Sequence, residues 1–173
     1  REEAMDSVNA VIREEVPAFT ETTLQARAFR YLRVDDETGE TGFQAMYEYL
    51  PLERRGTFRC SDETLNQIWE VCAYTFHLNS REFFLDGIKR DRWVWSGDAY
   101  QSYLVNDYLF RDEAITRRTI LALRGKDPVK THINTIQDYS FSWLMSVGEG
   151  YDRTGDLPLV RGVWPATDSG MEV

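Results

Sequence analysis

The chain has 173 residues, 42% hydrophobic and 13% aromatic, enough apolar material for a buried core and too much for wholesale disorder. Its 20 Lys and Arg stand against 29 Asp and Glu, a formal net charge of -9, which speaks against a nucleic-acid groove, since that needs a basic face. That acidic balance makes a neutral or uncharged partner the expectation, and no apolar run approaches the ~18 residues of a membrane span.

The chain opens "REEAMDSV", with Arg1 in place of a methionine, a start expected of a chain processed or cut from something longer. The first twenty-five residues are acidic and weakly patterned, with an amphipathic turn or helix expected around "AMDSVNAVIREEV" before Pro17. From Gln25 the aromatic and β-branched content of "QARAFRYLRV" predicts a strand, although its alternation is not clean. "DDETGETG" is a glycine-rich turn, better read as solvated than as a calcium loop because it lacks the ligand alternation of an EF-hand. It leads into "FQAMYEYLPL", where Phe43, Ala45, Tyr47 and Tyr49 alternate, so a hairpin is expected. "ERRGTFRC" offers a further short strand around Thr57 to Arg59.

After Cys60 the period changes from two to 3.6. Ser61 is the predicted N-cap of a helix reaching about Asn79, with Leu65, Ile68, Trp69, Cys72 and Phe76 on its apolar face. That helix separates Cys60 from Cys72 by about three turns, beyond the ~7 Å Cα reach of a disulfide, so two buried thiols are expected. A second helix is predicted from Ser96 to Asp98 onward through Tyr103, Leu104 and Tyr108. A third has Asp112 as cap, Ile115, Thr119, Ala122 and Leu123 on one side, and Gly125 as stop. A fourth runs from Asp138 to Gly155 with Trp143 as a core residue, and a last starts near Pro158. A β-rich part therefore gives way to an α-rich part near residues 56 to 61. No solenoid repeat is visible, and His77 and His132 lack a second ligand at metal spacing.

The stretch that fits neither core nor ordinary surface is "FFLDGIKRDRWVWSGDAY", residues 83–100. Asp86, Asp91 and Asp98 stand five and seven residues apart, with Gly87 and Gly97 beside the outer pair, in a loop that enters a helix. Carboxylates accept paired hydrogen bonds from sugar hydroxyls, indoles offer flat apolar faces to sugar C–H groups, and an arginine can hold a carboxylate in place. Crowded carboxylates beside tryptophan also raise a carboxyl pKa, as a general acid requires. The bland alternative is that Asp98 caps a helix, Asp86 serves a turn, and Asp91 pairs at the surface with Lys89, Arg90 or Arg92. Trp93 and Trp95 weigh against it.

"DGIKRDRWVWSGD" resembles the signature loop of the bacterial α-L-rhamnosidases of glycoside hydrolase family 78. "ARAFRYLRV" is similar to the closing strand of that family's β-sandwich, "CSDETLNQIWEVCAYT" to its first catalytic-domain helix, and "DYSFSWLMSVGEGYDRTGD" to the helix after the loop. The resemblance covers roughly residues 24 to 156. It implies a mostly α fold with an N-terminal β part: residues 1–58 as the end of a β-sandwich accessory domain with its linker, and 59–173 as the start of an (α/α)6 barrel. It further implies inverting hydrolysis of terminal α-L-rhamnosides, with Asp91 as general acid and Asp86, Arg90, Trp95 and Asp98 binding the sugar. The family's acid is typically Glu, so Asp91 is one methylene shorter. No position matches the family's general base, which implies that these residues alone do not turn over. No cofactor is implied, and the implied partner is a rhamnose-containing glycoside, with oligomeric state open and the periplasm or exterior favoured over the cytoplasm. A carbohydrate-binding protein without hydrolysis is the second expectation. A helical interaction module is the third, expected only if the three aspartates lie exposed and apart.

Overall fold

The computed structural model describes residues 14–17, 20–36, 39, 41–88, 91–127 and 130–169. The chain divides into two units between Leu32 and Arg33. In the first, the described residues are irregular, with Thr20 Oγ1 donating to the Pro17 carbonyl at 2.6 Å and Arg27 paired to Glu14 at 2.6 Å. The helix or turn expected around "AMDSVNAVIREEV" falls mostly on residues 1–13, outside the described residues.

Among the described residues of the second unit there are five α-helices: α1 (Glu63–Asn79), α2 (Ser96–Leu109), α3 (Glu113–Leu123), α4 (Gln137–Thr154) and α5 (Leu157–Ser169), with a 3-10 turn, Ile133–Thr135, before α4. No helix is long and apolar enough to cross a membrane. The cap of α1 is Asp62 and not Ser61: its carboxylate accepts the N–H groups of Thr64 and Leu65 at 2.8 and 3.3 Å. A carboxylate also answers the positive end of the helix, which a hydroxyl does not. Asp112 caps α3 as expected, accepting from Ile115 N–H at 2.9 Å. Asp138 does not cap α4. It lies inside the first turn, after Ile136, and its carbonyl accepts the Ser142 hydroxyl at 3.0 Å. Gly155 ends that helix with φ 67, a left-handed conformation that costs glycine little.

The core forms around α4, which packs on α2, α3, α5 and the 3-10 turn. Tyr103, Ile115, Ile120, Trp143, Leu159 and Val163 meet there with Phe84. The indole N–H of Trp143 donates to the Ile120 carbonyl at 2.9 Å, so this residue is core, as its helical spacing implied. Buried Asn106 is paired across elements. Asn106 donates to the Asp112 carbonyl and Thr116 hydroxyl and accepts from Asp112 N–H, holding the α2–α3 turn.

A smaller cluster joins Ala73, Leu109 and Phe110 to Trp69 and Phe76. The apolar face expected on α1 is therefore split. Trp69 and Phe76 turn inward, against Phe58 and Phe110, whereas Leu65 and Ile68 are about half exposed and Cys72 is exposed. Both cysteines are free, as their separation required, but neither is buried, since Cys60 is only half-covered. Ala122 likewise faces solvent on α3, with Ile120 taking the inward place.

The predicted strands do not form among the described residues. Residues 41–60 have no regular secondary structure, and Phe43, Tyr47 and Tyr49 are exposed. Alternation supplies one apolar face, but a hairpin without a third strand or a covering layer is marginal in water. This segment instead docks by its backbone. The N–H groups of Arg55 and Gly56 both donate to the Leu109 carbonyl at 2.8 Å, and a Cβ at Gly56 would lie 1.6 Å from the Tyr108 carbonyl oxygen.

Candidate active site

The charged loop is pinned at both ends. At its start, buried Phe84 donates its N–H to the Thr119 hydroxyl of α3 at 3.2 Å. Asp86 then closes the loop on itself: its N–H donates to the Trp93 carbonyl at 3.1 Å, and its Oδ1 accepts the Trp93 N–H at 2.9 Å. The turn enclosed by that pair needs a left-handed residue, supplied by Arg92 with φ 50. At its exit, the Ser96 hydroxyl donates to the Tyr139 carbonyl at 2.7 Å. The Asn134 side-chain amide donates to the Val94 carbonyl at 3.1 Å and accepts the Ser96 N–H at 3.0 Å.

Tyr139, in the first turn of α4, gathers the predicted residues. Its ring lies so close over Gly97 that a Cβ there would come within 2.7 Å of Cε1. It meets Trp95 edge-on, with centroids 6.1 Å apart. Asp98, in the first turn of α2, lies near enough for its charge to act on the Tyr139 hydroxyl. Burial pushes the Tyr139 hydroxyl pKa up first, followed by the charge and hydrogen bond of Asp98 and then the charge of Asp86. Tyr139 thus neighbours Trp95 by its ring, and the charges of Asp98 and Asp86 act on its hydroxyl. Trp95 is half-buried with its indole N–H enclosed and without a hydrogen-bond partner, so what it can offer a ligand is ring surface. Asp98 is not the cap of α2, which has no side-chain cap at all.

Asp91 stands apart from that cluster. It is exposed and has no ion pair with a described residue, Arg92 included. Lys89 and Arg90 lie outside the described residues. Trp93 is 62% exposed on the same loop. Glu149 accepts the Tyr100 hydroxyl at 2.8 Å, further along α4. Two surface cavities lie elsewhere. One of about 400 Å³ runs along α1, and one of about 310 Å³ sits at the far ends of α2 and α4, where Arg117 pairs with Asp156 and Arg153 with Asp107. These internal pairs neutralise Arg117, Asp156, Arg153 and Asp107 within the chain.

Sequence reasoning missed Asn134 and Tyr139. Both precede or open a helix whose apolar period drew attention to Trp143. The available signal was the tyrosine beside Asp138 at a helix start and an asparagine in "KTHINT", a residue type that tolerates left-handed backbone.

Carboxylates and an indole face are thus set on a helical layer, in a loop held by backbone hydrogen bonds. The model of the bacterial α-L-rhamnosidase six-hairpin glycosidase domain matches residues 53–172, and the chain belongs to that family. The fold is similar to the crystal structure of a family 78 rhamnosidase of Bacillus sp. GL1, at 27% identity and a TM-score of 0.64 over 72% of this chain and 14% of that one. It is also similar to a rhamnosidase from Klebsiella oxytoca with rhamnose bound, at 27% identity and a TM-score of 0.56, covering 65% of this chain and 25% of the other. Kallikrein 1-related peptidase b22 of Mus musculus is 30% identical over 124 residues, 67% of this chain and 42% of the peptidase. No serine-protease triad accompanies that last likeness among the described residues. His132 Nδ1 lies 3.3 Å from Ser140 Oγ, but neither His132 nor His77 has a carboxylate partner. The chain spans less than half the length of each of these proteins.

Proposed function

We propose that the chain is part of an inverting glycoside hydrolase acting on terminal α-L-rhamnosides, and that residues 83–100 supply one wall of its sugar subsite together with the general acid. What supports this is a single coincidence: three residues that family resemblance assigns to one sugar share Tyr139 as a neighbour, Trp95 through its ring and Asp98 and Asp86 through their charges. The rhamnose in the Klebsiella oxytoca structure supports the choice of sugar. By family resemblance, residues 59–173 correspond to the opening part of an (α/α)6 barrel and 1–58 to the end of a β-sandwich with its linker, although the described residues of 1–58 form no strand ladder.

Each role follows from surroundings. Asp98, exposed beside Tyr139, accepts hydroxyl hydrogens of the sugar, and Asp86 does so with the oxygen not committed to Trp93 N–H. Trp95 gives its ring to the C–H face, and Arg90 is assigned to the same subsite by family resemblance alone. Asp91, unpaired among the described residues and reaching solvent, protonates the leaving oxygen. Inversion requires a second carboxylate, ~6.5–9.5 Å from the acid, to activate water on the other face of the ring. No position here fills that role, so these 173 residues alone bind but do not hydrolyse. The shorter Asp91 favours a second possibility, sugar binding without cleavage.

Calorimetric titration of the whole protein with L-rhamnose tests the subsite. Asp98→Asn and Asp86→Asn are each expected to weaken binding about 10-fold or more, the value of a hydrogen bond to a charged group. Unchanged affinity in both variants would remove the loop from the sugar site.

A further inference from the structure

We infer that Asn134 is a positioning residue for the sugar subsite: its side-chain amide bridges the peptides on both sides of Trp95 and so sets the direction of that indole. The inference rests on the sugar-site assignment of the loop. Asn134 lies 40 residues from Val94 and 38 from Ser96 in sequence, yet its Nδ2 donates to the Val94 carbonyl at 3.1 Å and its Oδ1 accepts the Ser96 N–H at 3.0 Å. One planar group thereby fixes the backbone immediately before and after Trp95.

Two further observations make the bridge more than a loop contact. Trp95 occupies the N-cap position of α2 and offers that helix no side-chain cap, while Ser96, only 1% exposed, has its N–H far from water. A buried helix-start N–H must find an acceptor, and Asn134 provides it from another element. Asn134 itself sits at φ 51, ψ 22, inside the 3-10 turn that is continuous with α4 and therefore with Tyr139. A left-handed residue with a short amide is what this position requires, and few side chains meet both conditions. The same turn thus holds Trp95 by its backbone and delivers Tyr139 to its ring edge and to Asp98.

The turn's backbone and the amide bridge can be separated by substitution. Asn134→Gly keeps the left-handed conformation and deletes both hydrogen bonds. Asn134→Asp keeps the left-handed tolerance and the acceptor for Ser96 N–H but loses the donor to Val94. In the whole protein, with circular dichroism verifying the fold, Asn134→Gly is expected to weaken L-rhamnose binding about 10-fold and to lower kcat/KM on an aryl α-L-rhamnoside by up to ~10²-fold, the scale of a misplacement near 1 Å. Asn134→Asp is expected to recover part of both losses.

Wild-type affinity and kcat/KM in a folded Asn134→Gly protein, with only a lowered melting temperature, would reduce Asn134 to a structural residue and overturn the inference. If Asn134→Gly does not fold, Asn134→Asp decides: an unaltered rhamnose affinity sinks the inference, and a weakened one upholds it. Failure of the sugar site itself is distinguishable, because Asp98→Asn would then also leave rhamnose binding unchanged.

Discussion

Tyr139 does what no single aspartate of the charged loop can do: it gives three separated residues a common neighbour. Because burial and the charge of Asp98 raise its pKa, it stays a neutral donor where an ordinary tyrosine, near pH 10, begins to ionise. Its folded pKa exceeds the unfolded one, so its contribution to stability is complete below about pH 10 and is lost as pH rises through the folded value. Melting temperatures of the wild type and Tyr139→Phe are therefore expected to keep a constant difference below pH 10, with the wild type falling faster above it. Parallel curves to pH 11 would contradict this placement. Asp156 shows the opposite sign. The Leu159 N–H first, and then Arg117, hold its carboxyl below the usual carboxylate range, so its contribution is present above the unfolded pKa near 4 and is lost as pH falls through the lower folded value. Asp156→Asn is expected to flatten the acid side of the melting-temperature profile, and an unchanged acid limb would count against that pairing.

At the scale of elements, α3 depends on a local cap. Asp112→Ala is expected to cost about 1 kcal/mol in chemical denaturation, with Asp112→Asn close to wild type; equal losses in both would show that charge, not hydrogen bonding, is what matters there. The helices were legible in sequence because caps and the 3.6-residue period are local signals: Asp112, Gly125 and Gly155 mark ends that the structure places within a residue or two. What the period could not tell was which part of an apolar stripe finds a neighbour. Trp69 and Phe76 did, whereas Leu65, Ile68 and Cys72 did not. Strand alternation at Phe43, Tyr47 and Tyr49 was a weaker guide, since a strand exists only where another chain segment completes its ladder.

For the molecule as a whole, the site was half legible. Asp86, Trp95 and Asp98 could be grouped from one loop because short-range spacing limits where they point. Tyr139 and Asn134 could not, since about forty residues separate them from that loop and only packing of α4 on α2 brings them there. Asp91 belongs to the same loop but to the side facing solvent, and the catalytic claim rests on it. The decisive measurement is hydrolysis by the whole protein of two α-L-rhamnosides, one with a good aryl leaving group and one with an alkyl leaving group, comparing wild type with Asp91→Asn. Loss of a general acid is expected to lower turnover of the alkyl glycoside by ~10²-fold or more and that of the activated aryl glycoside far less, with rhamnose affinity retained. Equal rates in wild type and variant on both substrates, or no hydrolysis by the wild type, would contradict the assignment of Asp91 and leave a sugar-binding wall without an acid.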